Sequence, residues 1–175
     1  CNVKVVMGSG SIVAGGQATF RLEADDVCSP GLGQYSGTVV NFAGAVQPVN
    51  CVANPTGALD NGGCSIKYVS SYYFSYYTVS ITGSRSSAGA TGNLPLADIT
   101  YKAVGSAGSS ATLYVGTSTL TSSSGAAIER VIQNGAVSVA AGTSGGTDND
   151  GLPLVDEIRT IAQCVMGFRS CDILR

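Results

Sequence analysis

The chain has 175 residues, of which 44% are hydrophobic and only 11% charged, with a formal net charge of -2. That is enough apolar material for one sizeable core. Lys and Arg never cluster into a phosphate-binding stripe, which excludes nucleic acid as a partner. Histidine and tryptophan are both absent. That removes His-dependent triads and most catalytic zinc sites.

Six cysteines stand at Cys1, Cys28, Cys51, Cys64, Cys164 and Cys171. None forms a CxxC pair, so disulfides in an oxidising, extracellular compartment are expected. Proximity favours Cys51–Cys64 and Cys164–Cys171, which leaves Cys1 for Cys28. No segment approaches the roughly 20 consecutive apolar residues of a membrane span. A start at Cys1 fits a removed export signal, with a lipidated N-terminal cysteine as a second reading.

In chain order, Val3 and Val5 flank Lys4 as a first short strand. Ala18, Phe20, Leu22 and Ala24 alternate with Thr19, Arg21, Glu23 and Asp25, a strand with one wet face. Strands are also predicted over residues 35–42, 46–52 and 65–69, around Val79 and Ile81, over 96–104, around Leu113 and Val115, and around Val137 and Val139. Turn signals separate them at Ser29-Pro30-Gly31, Asn61-Gly62-Gly63, Gly105 to Gly108 and Asn134-Gly135. About nine short strands so punctuated imply an all-β antiparallel sandwich, with a closed barrel as the alternative.

Between Tyr68 and Tyr77 lie six aromatic residues, Tyr68, Tyr72, Tyr73, Phe74, Tyr76 and Tyr77. They read first as a strand pair with rings on the sheet. They read second as a contact surface for a partner or a glycan, in which Tyr72, Tyr73, Tyr76 and Tyr77 would take part.

The strand pattern stops near Ala141, where Ala-Gly-Thr-Ser-Gly-Gly has linker composition. The expected organisation is a β-sandwich over 1–140, a linker over 141–147 and a loop-helix tail over 148–175. In the tail, Pro153 suits a first helical turn and Asp156 and Glu157 suit a helix start. Leu154, Ile158, Ile161 and Val165 then recur at helical spacing as one apolar stripe. With Gly151 at the sharp turn of an EF-hand-type loop, Asp148, Asp150, the carbonyl of Leu152 and Glu157 fall on calcium-ligand positions. The first ligand position is Gly146, which offers no side chain, so the loop supplies an incomplete set for Ca2+.

The run from Gly145 to Ile158, followed by Ala162 to Gly167, resembles one half of a dockerin repeat. The upstream region resembles a bacterial cohesin through residues 11–17, 30–35, 94–105 and 131–137. Two features depart from those families. A single loop-helix repeat is present where dockerins carry two, and Asn41-Phe42-Ala43-Gly44 stands where cohesins usually have a Tyr-Asp-Pro-type turn.

The resemblance implies a secreted, non-catalytic interaction protein at the bacterial cell surface. The leading expectation is a subunit that joins head to tail, its C-terminal helix lying on the neighbouring sandwich, into an extracellular filament. The alternatives are a cohesin-type binding module of a larger scaffold or polysaccharide-degrading complex, and an adhesin or carbohydrate-binding domain. Expected partners are copies of the chain itself, another secreted cohesin- or dockerin-bearing protein, and glycans. Catalysis is not expected. The carboxylates Glu23, Asp25, Asp26, Asp60, Asp98 and Glu129 show no pairing pattern, and no motif marks Lys4, Lys67 or Lys102 for a Ser-Lys arrangement.

Overall fold

The computed structural model describes residues 2–85 and 88–142. Cys1–Ala141 forms one compact unit, distinct from Gly142–Arg175. The residues for which a dockerin-like loop and helix were expected, with Asp148, Asp150, Leu152, Glu157, Leu154, Ile158, Ile161 and Val165, lie outside the described residues, as do Cys1, Cys164 and Cys171.

The described part is all-β, as expected. Its ten strands are β1 (Val3–Met7), β2 (Gly10–Val13), β3 (Gln17–Phe42), β4 (Val46–Ala53), β5 (Asn61–Ser70), β6 (Ser75–Ser84), β7 (Ala90–Ala103), β8 (Ser110–Ser122), β9 (Arg130–Gln133) and β10 (Gly135–Ala140). One layer contains β4, β7, the first half of β3, β1 and β9. The other contains β5, β6, the second half of β3 and β8, continued by β10 and β2. The pairing is antiparallel except for β1 with β9 and β10 with β2, which are parallel.

Strand β3 belongs to both layers, and its crossover revises the sequence reading. Ser29-Pro30-Gly31 was expected to end a strand. Instead the strand bends and continues, changing layer there. The register against β7 slips between Ala24 and Val27 and again between Val27 and Leu32. Asp26 and Gly31 take positive φ within the bend, and Ser29-Pro30 is cis. Asn61-Gly62-Gly63 likewise opens β5 rather than forming a turn, because those residues pair with Ser84, Gly83 and Thr82 of β6.

Alternation builds the core. Val3, Val5 and Met7 of β1, Leu22 and Ala24 of β3, and Ile99 and Tyr101 of β7 are buried from one layer. They meet Tyr35, Val39, Val79, Ile81, Leu113 and Val137 from the other layer. At about 25 cal/mol per Å2 of buried apolar area, each of the Val, Leu, Ile and Met side chains contributes on the order of 2 kcal/mol before chain entropy is counted. Gly37 is required by a close approach. A Cβ there would run into the Tyr35 hydroxyl and the Gly116 carbonyl.

The expected Cys51–Cys64 bridge is present, with Cα atoms 5.9 Å apart. It joins β4, at the edge of one layer, to β5, at the edge of the other. Strand β5 needs that tie, since none of its ten residues is buried. Cys28 is also disulfide-bonded, and its partner lies outside the described residues.

Candidate protein-binding face

The outer surface of β5, β6, β3 and β8 is set by strand parity. On β3, Val39 and Asn41 point inward, so Val40 and Phe42 point out. On β6, Val79 and Ile81 point inward, so Tyr76, Thr78 and Ser80 point out. Tyr114 faces out beside buried Leu113 on β8. Register then brings these residues together. Phe42 pairs with Tyr76, and Val40 lies between Thr78 and Tyr114.

The result is an aromatic cluster at one end of the face. Phe42 meets Tyr114 edge-on, with ring centroids 6.3 Å apart, and Phe74 meets Tyr76 at 6.1 Å. Phe42, the last residue of β3, is 55% exposed. A groove of about 370 Å3 runs beside it, between the β3–β4 turn and the start of β8. Asn41 shapes that turn from below. It is fully buried, and its amide donates to the carbonyls of Val46 (3.0 Å) and Phe42 (3.3 Å).

The other end of the face is polar and neutral. Gln34, Ser36, Asn61, Thr82, Ser84 and Thr119 line a shallow cleft of about 480 Å3. Of all the residues in β5, β6, β8 and the second half of β3, Lys67 alone is charged. Beneath the face, burial pushes the Tyr35 phenol above its ordinary range, while the Thr117 hydroxyl and the Arg130 charge pull it back in part.

The Tyr68–Tyr77 tract forms a β5–β6 hairpin, so the strand-pair expectation is met for Tyr68, Tyr76 and Tyr77, whose rings lie on the sheet, and not for Tyr72 and Tyr73 at the turn. None of the four tyrosines singled out from sequence is a core residue. Tyr72 and Tyr73 stand 95% and 87% exposed at the hairpin turn, in edge-to-face contact at 5.1 Å. Tyr76 lies on the outer face, whereas Tyr77 turns to the opposite side and packs on Tyr68 at 4.9 Å. Phe42, Val40 and Tyr114 completed the cluster from other strands. Their outward parity was readable strand by strand, but their meeting depends on long-range register.

The opposite surface of the sandwich, formed by β1, β3 and β7, is built differently. Arg21 and Asp98 are cross-strand partners joined by two hydrogen bonds of 2.7 and 2.9 Å. Thr19 and Thr100 share a hydroxyl hydrogen bond of 2.9 Å, and Lys4 lies 3.5 Å from Asp26. These charges satisfy one another. Among the described residues no group of three or more His, Cys, Asp or Glu side chains comes together to hold a metal. No helix among them is long and apolar enough to cross a membrane.

No family model matches the sequence, and no curated protein matches it either. The fold does match solved structures. The sixth cohesin of scaffoldin B from Acetivibrio cellulolyticus, solved in complex with a Cel5 dockerin mutant, superposes with a TM-score of 0.62 at 14% identity, over 79% of this chain and 99% of that one. The seventh ScaB type I cohesin of Pseudobacteroides cellulosolvens gives 0.62 at 20% identity, over 85% and 98%. A non-cellulosomal cohesin from the archaeon Archaeoglobus fulgidus gives 0.59 at 11%, over 80% and 92%. The described unit therefore has the β-sandwich fold of cohesin domains.

Proposed function

We propose that the chain is a cohesin-type protein-binding module, a non-catalytic receptor within a larger secreted or cell-surface assembly, that captures a dockerin-bearing partner. The observation that carries this reading is the face of β5, β6, β3 and β8. It joins an exposed aromatic cluster to a neutral hydroxyl- and amide-lined cleft on a cohesin fold. Several of the matching cohesins were solved with dockerins bound. A patch of Phe42, Val40, Tyr76 and Tyr114 supplies the buried aromatic centre that dominates binding energy in protein interfaces, and the surrounding hydroxyls supply a rim. Isothermal titration of the full chain against a panel of purified dockerin modules tests it. At least one should bind, and binding should weaken with Phe42→Ala and Tyr114→Ala. No binding across the panel, or binding indifferent to both substitutions, would count against this reading.

A second reading keeps the head-to-tail filament. Strand β10 ends beside the aromatic groove. Val139 exchanges backbone hydrogen bonds with the Gly108–Ser109 turn, and Ser109 also lines that groove. The segment that follows carries the Leu154, Ile158, Ile161 and Val165 stripe, which would cover a neighbouring copy. Calcium belongs to the same reading. Asp148, Asp150, Leu152 and Glu157 offer oxygens suited to a hard cation but fewer than the six to eight it takes. Sedimentation at rising concentration, with and without Ca2+, separates the two readings. A monomer throughout favours the receptor module, and concentration-dependent growth abolished by Ile158→Asp favours the filament.

A further inference from the structure

We propose that the tip of the β5–β6 hairpin is a carbohydrate contact, with Tyr72 and Tyr73 as stacking rings for a neutral polysaccharide. The site does not depend on the dockerin reading, since both rings stand at the turn and not on the outer sheet face.

Three observations carry it. The first is exposure. At 95% and 87%, Tyr72 and Tyr73 give their apolar faces to water, and each ring packs edge-to-face on the other. The second is order. The Ser71 hydroxyl donates to the Phe74 carbonyl (2.8 Å) and accepts from the Phe74 amide (3.2 Å). The Ser71 amide also donates to that carbonyl at 2.9 Å, and Ser70 and Ser75 share a hydroxyl bond of 3.1 Å. The turn is thus closed by its own serines, and the rings are presented on a fixed base. The third is charge. From Tyr68 to Ser84 the chain contains no Asp, Glu, Lys or Arg.

Those features select the ligand class. A charged peptide or lipid headgroup would find no counter-charge on the tip. A folded protein would have to bring a concave pocket to this convex turn. An extended sugar chain needs only a ring face for its C–H groups and hydroxyl partners at the margin. The edge-to-face arrangement, with planes inclined by 81°, leaves such a ring face open. The phenol and serine hydroxyls both donate and accept.

Affinity electrophoresis of the full chain through gels containing soluble β-glucan, xylan or mannan, with pull-down on insoluble cellulose and chitin, tests the proposal. At least one neutral polysaccharide should retard or retain the protein. The double substitution Tyr72→Ser/Tyr73→Ser should cut that affinity about tenfold or more while the melting temperature stays put. Phe42→Ala, on the sheet face, should leave it unchanged. Absence of binding to every polysaccharide, or binding that survives the double substitution, overturns the proposal. So does a double variant that loses dockerin binding with no glycan signal in the parent, because the tip would then belong to the protein-binding face.

Discussion

The two outer surfaces of the sandwich use the same pleated backbone to opposite ends. On the β1–β3–β7 side, three polar pairs link neighbouring elements, with Arg21 on Asp98, Thr19 on Thr100 and Lys4 near Asp26. On the β5–β6–β3–β8 side, hydroxyls and aromatic rings are left facing water and Lys67 is the lone charge. Cross-strand pairs of opposite charge stabilise a sheet modestly and blunt its reactivity toward other chains. A charge-poor face with an aromatic cluster is instead a surface that gains from being covered. One face closes its chemistry within the domain, and the other keeps it available.

Substitutions should separate the roles of the two faces. The largest effect belongs to the shared core beneath them. Ile81 is 1% exposed, and Ile81→Ala should cost about 3 kcal/mol in chemical denaturation, by lost burial and the cavity left behind. Replacing Cys51 and Cys64 together by Ser should cost up to about 3 kcal/mol by the loop-entropy argument. Hydrogen exchange should then rise in β5 ahead of β7, because β5 has no buried residue of its own. Phe42→Ala with Tyr114→Ala should weaken partner binding about tenfold or more and change the melting temperature little. Arg21→Ala, on the paired face, should leave binding unchanged and lower the melting temperature only slightly.

Alkali probes the interior between the faces. Burial raises the pKa of both Tyr35 and Tyr101. A neutral phenol held in the core contributes stability fully present below the ordinary tyrosine pKa of about 10. That stability is lost as pH rises toward the folded-state value. Absorbance titration should therefore show two phenols that ionise only as the protein unfolds.

Much of this architecture was legible in the chain. The alternations around Leu22, Val79, Ile99 and Val137 reported strands with one buried face, and spacing alone paired Cys51 with Cys64. What escaped was non-local. Strand β9 has four exposed residues and so no alternation to read. Ser29-Pro30-Gly31 carries the chemistry of a turn and the chain does bend there, but pairing resumes at Leu32, so the strand crosses between layers instead of ending. The aromatic tract was visible, but its partners Phe42 and Tyr114 lie on strands far away in sequence. Only register brings them beside Tyr76.

The most direct measurement is isothermal titration of a purified dockerin module that binds the full chain, repeated with the Phe42→Ala/Tyr114→Ala variant and with the Arg21→Ala variant. Binding that falls about tenfold or more in the first and is unchanged in the second is the predicted result. Binding lost with Arg21→Ala and retained without the two rings would place the partner on the wrong face and contradict the proposed function.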